Sequence, residues 1–131
     1  MRVMAFGTFD ILHPGHIFFL KKAKSYGELT VVVARDSTVE KVKARLPLND
    51  EKKRKENIEK LNIADHVMLG NLDDPYRIIE DIKPDLVCLG YDQDSFSGNL
   101  LSEMEKRNIH LKIIRLPSYK PHKYKSSKLR R

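Results

Sequence analysis

Short apolar runs alternate with amphipathic or charged stretches along this chain of 131 residues. Five of the runs predict buried strands, because they are short, largely aliphatic and bounded by polar or turn-forming residues. They cover residues 3–6, 29–34, 66–69, 86–89 and 111–116. Four helical stretches are predicted between them, over residues 14–26, 50–61, 74–83 and about 99–107.

This order of elements predicts the fold. Regular alternation of strand and helix favours an α/β architecture, in which an open parallel sheet carries helices on both faces. No repeat, linker or low-complexity segment interrupts the pattern, so a single domain over residues 1–131 is predicted. Ligands of such sheets bind beyond the carboxyl ends of the strands, where the strand order reverses. A strand order of 3-2-1-4-5 would bring the loops after the first and fourth strands together.

Residues 7–16, which read Gly-Thr-Phe-Asp-Ile-Leu-His-Pro-Gly-His, carry the strongest chemical signal. They follow the first strand, and Pro14 suits the first turn of a helix, so the helix is expected to start at the histidines. Unpaired amides and the helix dipole favour an anion there, and Gly15 permits its close approach. The pattern therefore predicts a phosphate site. The alternative is a tight turn whose histidines merely cap the helix.

The His-x-Gly-His sequence after Gly-Thr-Phe-Asp resembles the signature of the cytidylyltransferase-like nucleotidyltransferases. The resemblance implies a Rossmann-like five-stranded sheet and transfer of a nucleoside monophosphate from a triphosphate onto a phosphate monoester, with release of pyrophosphate. It implies that His13 and His16 contact the triphosphate and stabilise the developing charge. The residues implied to line the nucleotide site with them are Thr8, Phe9, Pro14 and Gly15, with Asp10 on the acceptor side.

Two basic residues outside the motif are further candidates by the same resemblance. Lys43, or alternatively Lys41, follows the second strand in a polar segment and would contact a phosphate; the alternative is a solvated, mobile loop. Arg54 lies in the charged helix, where its planar guanidinium would suit a substrate phosphate. The alternative is a solvated helix face. The family's arginine often lies near a subunit interface, and small members are commonly homodimers.

The loop after the fourth strand is the second candidate region. Gly90 lets the backbone approach a ligand, and Asp92 can accept a hydrogen bond from a nucleobase amine or a ribose hydroxyl. Gly90 and Tyr91 are assigned to the acceptor, and an ordinary turn is the alternative. In the tail, Ser126 and Ser127 resemble the family's final motif, which holds the β and γ phosphates. Tyr119 could stack on the base or simply lie on the surface.

The net charge of +7 is unevenly distributed along the chain. Residues 1–105 hold 15 Lys and Arg against 18 Asp and Glu, whereas residues 106–131 hold 10 and none. The basic tail over residues 117–131 could bind nucleic acid through phosphates, but a triphosphate site at the end of the domain also needs cations. An RNA-binding module without catalysis is therefore the alternative from a different functional class.

Other features of the sequence bear on the location of the protein and on how it binds metal. No apolar run is long enough to span a bilayer, and the amino terminus lacks the pattern of a signal peptide, so a cytoplasmic protein is expected. Cys88 lies within an apolar run and is predicted to be a buried structural residue. Asp10, Asp92 and Asp94 could suggest a metal cage. Because Mg²⁺ usually keeps waters and binds phosphate oxygens, a divalent ion is expected to arrive with the triphosphate instead, with no metal site built from protein ligands alone.

Within the family, three segments resemble the small archaeal members that adenylylate FMN, namely residues 34–41, 89–93 and 124–128. The resemblance implies ATP and FMN as substrates, and FAD and diphosphate as products. Transfer from CTP to glycerol 3-phosphate is the main alternative, and transfer of AMP to a sugar phosphate is the next. The residues themselves do not distinguish adenine from cytosine.

Overall fold

The computed structural model describes residues 1–72, 74, 76–90 and 94–116, and only the backbone of residues 42, 43 and 94–99. Five parallel strands form one sheet in the order β3-β2-β1-β4-β5. They are β1 (Arg2–Gly7), β2 (Glu28–Val33), β3 (His66–Leu69), β4 (Leu86–Leu89) and β5 (Lys112–Arg115). The predicted α/β fold and strand order are confirmed.

Five helices are described, one more than the sequence predicts. They are α1 (Pro14–Lys24), α2 (Asp36–Lys43), α3 (Glu51–Lys60), α4 (Arg77–Ile82) and α5 (Asp94–Lys106). The predicted starts were wrong by about three residues for α4 and five for α5. Within the described ranges, no helix is long and apolar enough to cross a membrane.

The polar segment after β2, for which no helix was predicted, forms helix α2. Its N-cap residue, Arg35, makes no capping hydrogen bond with its side chain. Instead, Glu51 of α3 accepts a hydrogen bond from the Asp36 amide through Oε1, at 2.9 Å, and α2 buries Val39. Because this cap comes from another helix, local sequence signals could not reveal it.

The helices cover both faces of the sheet, as predicted, with a separate core on each side. Helices α1 and α3 contribute Leu20, Ala23 and Ile58 to the core that includes Val3, Ala5, Val31 and Cys88. Helices α4 and α5 contribute Ile78, Ile79, Leu100 and Met104 to the opposite core, with Met4, Phe6, Val32, Val87 and Leu89. Cys88 is fully buried in the first of these cores, as predicted for a structural cysteine, and this burial raises the pKa of its thiol to about 11.

Candidate active site

Helix α1 begins at the histidine motif, as predicted. His13 is the N-cap residue with an extended backbone, and Pro14 occupies the first helical turn. The His13 Nδ1 atom accepts a hydrogen bond from the Gly15 amide at 3.0 Å. A neutral imidazole that accepts at Nδ1 carries its proton on Nε2. His13 can therefore donate from Nε2 to an anion.

The backbone amides at the start of α1 are hydrogen-bonded, so the prediction that they are unpaired was wrong. The Gly15 amide is engaged by His13 Nδ1, and the amides of His16 and Ile17 donate to the His13 carbonyl at 3.0 and 3.3 Å. Pro14 has no amide hydrogen to offer. The tight first turn thus satisfies its own donors, and the imidazoles are the groups left to meet a phosphate.

The two histidine side chains lie together. Their rings stack with centroids 3.9 Å apart and planes inclined by 30°. The Phe9 ring meets the His16 ring edge-on, with centroids 5.5 Å apart. This arrangement holds the two imidazoles against each other beyond the carboxyl end of β1, where both could contact the same polyphosphate.

Phe9 is packed into the core beneath the site, with 4% of its surface exposed. Its backbone adopts a left-handed conformation with φ of 53°, which is unusual for an aromatic residue and costs free energy. A Cβ atom on Gly7 would lie 2.6 Å from Phe9 Cζ, so Gly7 makes room for this ring. Phe9 therefore positions His16, and a direct contact of Phe9 with nucleotide stays a prediction.

Asp10 connects the motif to the loop between α2 and α3. Its carboxylate accepts hydrogen bonds from the amides of Leu48 and Asn49, both at 2.8 Å, and its carbonyl accepts one from Asn49 Nδ2 at 2.6 Å. We call these contacts the Asp10 clamp. Burial alone would raise the pKa of Asp10, but hydrogen bonds from Asn49 and Leu48 outweigh it and lower the pKa. Its predicted contact with the acceptor stays a prediction.

Arg54 is fully buried, which corrects the alternative of a solvated helix face. Its guanidinium donates to the carbonyls of Thr8, Ala34 and Asn49 at 2.8 to 3.0 Å and pairs with Asp36 at 2.6 Å. These contacts fasten the segments after β1 and β2 to α3. Arg54 thus stabilises the loops of the candidate site through its hydrogen bonds to their backbone carbonyls. Its direct contact with a substrate phosphate stays a prediction.

The strand order places the carboxyl ends of β1 and β4 side by side. Strand β1 pairs with β4 through Ala5 and Cys88. Two residues further along the chain, β1 ends at Gly7, and Gly90 directly follows the end of β4 at Leu89. The Gly90 carbonyl accepts a hydrogen bond from Arg115 at 2.9 Å. The remaining candidates lie outside the described residues, and their roles stay predictions: Tyr91, Asp92, Tyr119, Ser126 and Ser127, together with the Lys43 side chain.

Sequence reasoning did not single out the residues that hold these loops. Asp36, Asn49 and Glu51 connect α2, α3 and the motif loop through the contacts described above. One signal was present, because Glu51, Arg54 and Ile58 are spaced to share one face of α3. Ile58 is buried, so that face points inward.

No group of three or more His, Cys, Asp or Glu side chains that could hold a metal ion occurs within the described residues. Both carboxylate oxygens of Asp10 accept backbone amides, so they are poorly placed to serve as metal ligands as well. The expectation that a divalent ion arrives bound to the triphosphate stays a prediction.

The paired imidazoles lie at the start of the helix that follows β1, the central strand of the parallel sheet. Open α/β sheets commonly bind phosphate-bearing ligands at this position. Residues 4–131 match the model of the Cytidylyltransferase-like family, and the chain belongs to that family. This confirms the resemblance carried by the histidine motif.

Individual relatives share most of their length with this chain. It is 48% identical over 120 residues to a protein named FAD synthase from Aciduliprofundum boonei, covering 91% of this chain and 80% of that protein. It is 42% identical over 132 residues to the FAD synthase of Thermoplasma volcanium, covering 100% and 92%. A crystal structure named as a lipopolysaccharide core biosynthesis protein from Thermoplasma volcanium superimposes with a TM-score of 0.83 at 44% identity, covering 91% and 98%.

Proposed function

We propose that this chain transfers AMP from ATP to FMN, producing FAD and diphosphate. The observation that carries this proposal is the stacked pair of His13 and His16 at the start of α1, in a chain 42 to 48% identical to FAD synthases. The described geometry supports nucleotidyl transfer, and the relatives support flavin as the acceptor.

The reaction is a displacement at phosphorus. An oxygen of the FMN phosphate attacks the α-phosphorus of ATP, a new P–O bond forms, and the bond to the β-phosphate oxygen breaks as diphosphate leaves. Phosphate is already an anionic nucleophile at neutral pH, so the protein needs to supply alignment and charge stabilisation, with no covalent intermediate.

The histidines are suited to stabilise the charge. His13 donates through Nε2 because its Nδ1 atom is held by Gly15, and the stacked His16 adds a second imidazole beside it. Donors fixed before the substrate arrives need no reorganisation as charge develops on the phosphate oxygens. The positive end of the α1 dipole acts in the same direction.

The roles of residues beyond the described part belong to this proposal as well. Lys43, Ser126 and Ser127 would hold phosphate oxygens, and Asp92 and Tyr119 would contact the nucleoside. Mg²⁺ bound to the triphosphate would neutralise part of its charge.

The deciding experiment offers ATP or CTP together with FMN or glycerol 3-phosphate and identifies the product by mass. FAD from ATP and FMN is the expected product, whereas a CDP-alcohol would overturn the proposal. His16→Ala should abolish most of the turnover, while His66→Ala serves as the matched control. His66 is the first residue of the edge strand β3, so it lies at the amino end of that strand, whereas the candidate site follows the carboxyl end of β1.

A sugar phosphate is the second candidate acceptor, since the 44% identical structure carries a lipopolysaccharide name. A hexose or heptose phosphate should therefore be included in the same assay with ATP. An ADP-sugar formed faster than FAD would favour this candidate.

A further inference from the structure

The loop between α2 and α3 exposes leucines next to the active site. Leu46 and Leu48 are 59% and 75% exposed, and Ile11, on the motif loop, is 60% exposed. The Asp10 clamp brings the two loops together, because Leu48 donates its amide to the residue directly before Ile11. These three side chains, which we call the aliphatic platform, belong to segments joined at the clamp.

The platform does not hold its own loops in place. Polar contacts fix this region: the two amides on the Asp10 carboxylate, the Asn49 side chain on the Asp10 carbonyl, and Arg54 on the Asn49 carbonyl. The aliphatic side chains are left facing solvent on a fixed backbone. A single exposed leucine is ordinary, but three on clamped loops beside a phosphate site point to an apolar ligand.

We propose that the aliphatic platform binds the isoalloxazine ring of the flavin acceptor, an inference that rests on the proposed function. FMN has an anionic phosphate at one end and, at the other, a flat aromatic ring system whose two faces and dimethylbenzene part are apolar. The phosphate must reach the histidines for transfer, so the ring lies outside that point. Ile11 is two residues before His13 and is 60% exposed, so the platform includes an accessible side chain on the loop that leads to the histidines.

The chemistry of the platform distinguishes among acceptors. FMN joins its ring to the phosphate through a hydroxylated ribityl chain, whereas glycerol 3-phosphate and sugar phosphates have hydroxylated carbons but no ring. Aliphatic side chains therefore offer these smaller acceptors little favourable burial. A second copy of this chain is a less suitable occupant. Three partly exposed aliphatic side chains present a few hundred Å² at most, against about 800 Å² buried by each partner in a standard interface.

The test compares Ile11→Ser and Leu48→Ser with the control Leu101→Ser. Leu101 lies on α5 and is 65% exposed, so it matches the platform residues in exposure and lies outside them. Each platform variant should raise the KM for FMN about tenfold, as expected when one large aliphatic contact is lost. The KM for ATP and the melting temperature should change little, and Leu48→Met should restore the KM for FMN.

Quenching of riboflavin fluorescence provides a readout independent of turnover, because riboflavin has the ring but no phosphate. Weaker riboflavin binding in the platform variants than in Leu101→Ser supports the inference. Unchanged KM for FMN and unchanged quenching would overturn it. So would a lower molecular mass of the variants by light scattering, which would assign the platform to contacts between copies. Absence of FAD formation by the wild-type chain would instead overturn the proposed function.

Discussion

Arg54→Met tests whether a buried guanidinium organises the site. The substitution keeps an aliphatic stem but removes four hydrogen bonds of 2.6 to 3.0 Å. Three backbone carbonyls lose a donor, and the Asp36 carboxylate loses its cation. Breaking a buried ion pair costs about 3–5 kcal/mol. Asp36 is partly exposed, so water replaces some of what it loses, and we expect the lower end, about 3 kcal/mol.

Thermal and urea unfolding measure this loss. For a domain of this size, about 3 kcal/mol lowers the melting temperature by roughly 10 °C. Arg54→Lys keeps the charge but not the planar fork, so its stability should fall between those of wild type and Arg54→Met. The turnover of both variants should fall, because Arg54 holds the Thr8 and Ala34 carbonyls.

Lys55→Met is the matched control, since it makes the same kind of change at the next position of α3. Lys55 pairs with Glu59 on the helix surface, and such pairs contribute about 0.3–0.5 kcal/mol. The two variants should therefore differ several-fold in their loss of unfolding free energy. Equal losses would refute the assignment of Arg54 as a buried support.

Three further predictions concern the motif and the base of the sheet. His13→Ala should lower the free energy of unfolding by about 1 kcal/mol, because the helix cap is lost, and should remove most of the activity. His13→Asn should restore the stability but not the turnover. Restored turnover would contradict a chemical role for the imidazole. Gly7→Ala should lower the free energy of unfolding, measured in urea, by about 1–3 kcal/mol, because the new Cβ atom meets the Phe9 ring. The loss should be smaller in a Phe9→Leu background. Equal losses in both backgrounds would argue against the close contact. Hydrogen bonding to Lys24 lowers the pKa of Asp65 below its ordinary value of 3.8. The ionised carboxylate therefore contributes its full stabilisation of the fold above pH 3.8, and this contribution is lost as the pH falls through the lowered pKa. Asp65→Asn should weaken this acid dependence in unfolding measured against pH, and an unchanged profile would disprove it.

The sheet could be predicted because its signals are local. Strands buried on both faces of a parallel sheet are nearly continuous apolar runs, and the five runs occupy the positions of β1 to β5. The strand order was predicted because it would make β1 and β4 neighbours and because the resembled family adopts a five-stranded sheet; the sequence alone did not prove it, and the structure confirms it. The start of α1 could also be predicted, because His13 and Pro14 are adjacent in the chain and both lie in the first turn of the helix.

Helix α2 was missed because its stabilising contacts are distant in sequence. Its own N-cap provides no side-chain hydrogen bond, and Glu51 caps it from 15 residues away. Burial of Arg54 was missed for a related reason. Four consecutive basic residues, 52–55, look alike in the sequence, and only the packing of α3 on the sheet decides which one turns inward.

The sequence by itself determined the local structure of the candidate centre, since residues 7–16 carry the glycine, the histidines and the helix start within one short segment. Tertiary structure decided what surrounds that centre. Asp10 meets the loop 38 residues later, and Arg54 reaches the Thr8 carbonyl across 46. Local motifs are set by backbone geometry that neighbouring residues share, whereas such long-range contacts exist only after the helices pack on the sheet. The surface proposed to bind the flavin ring depends on those contacts.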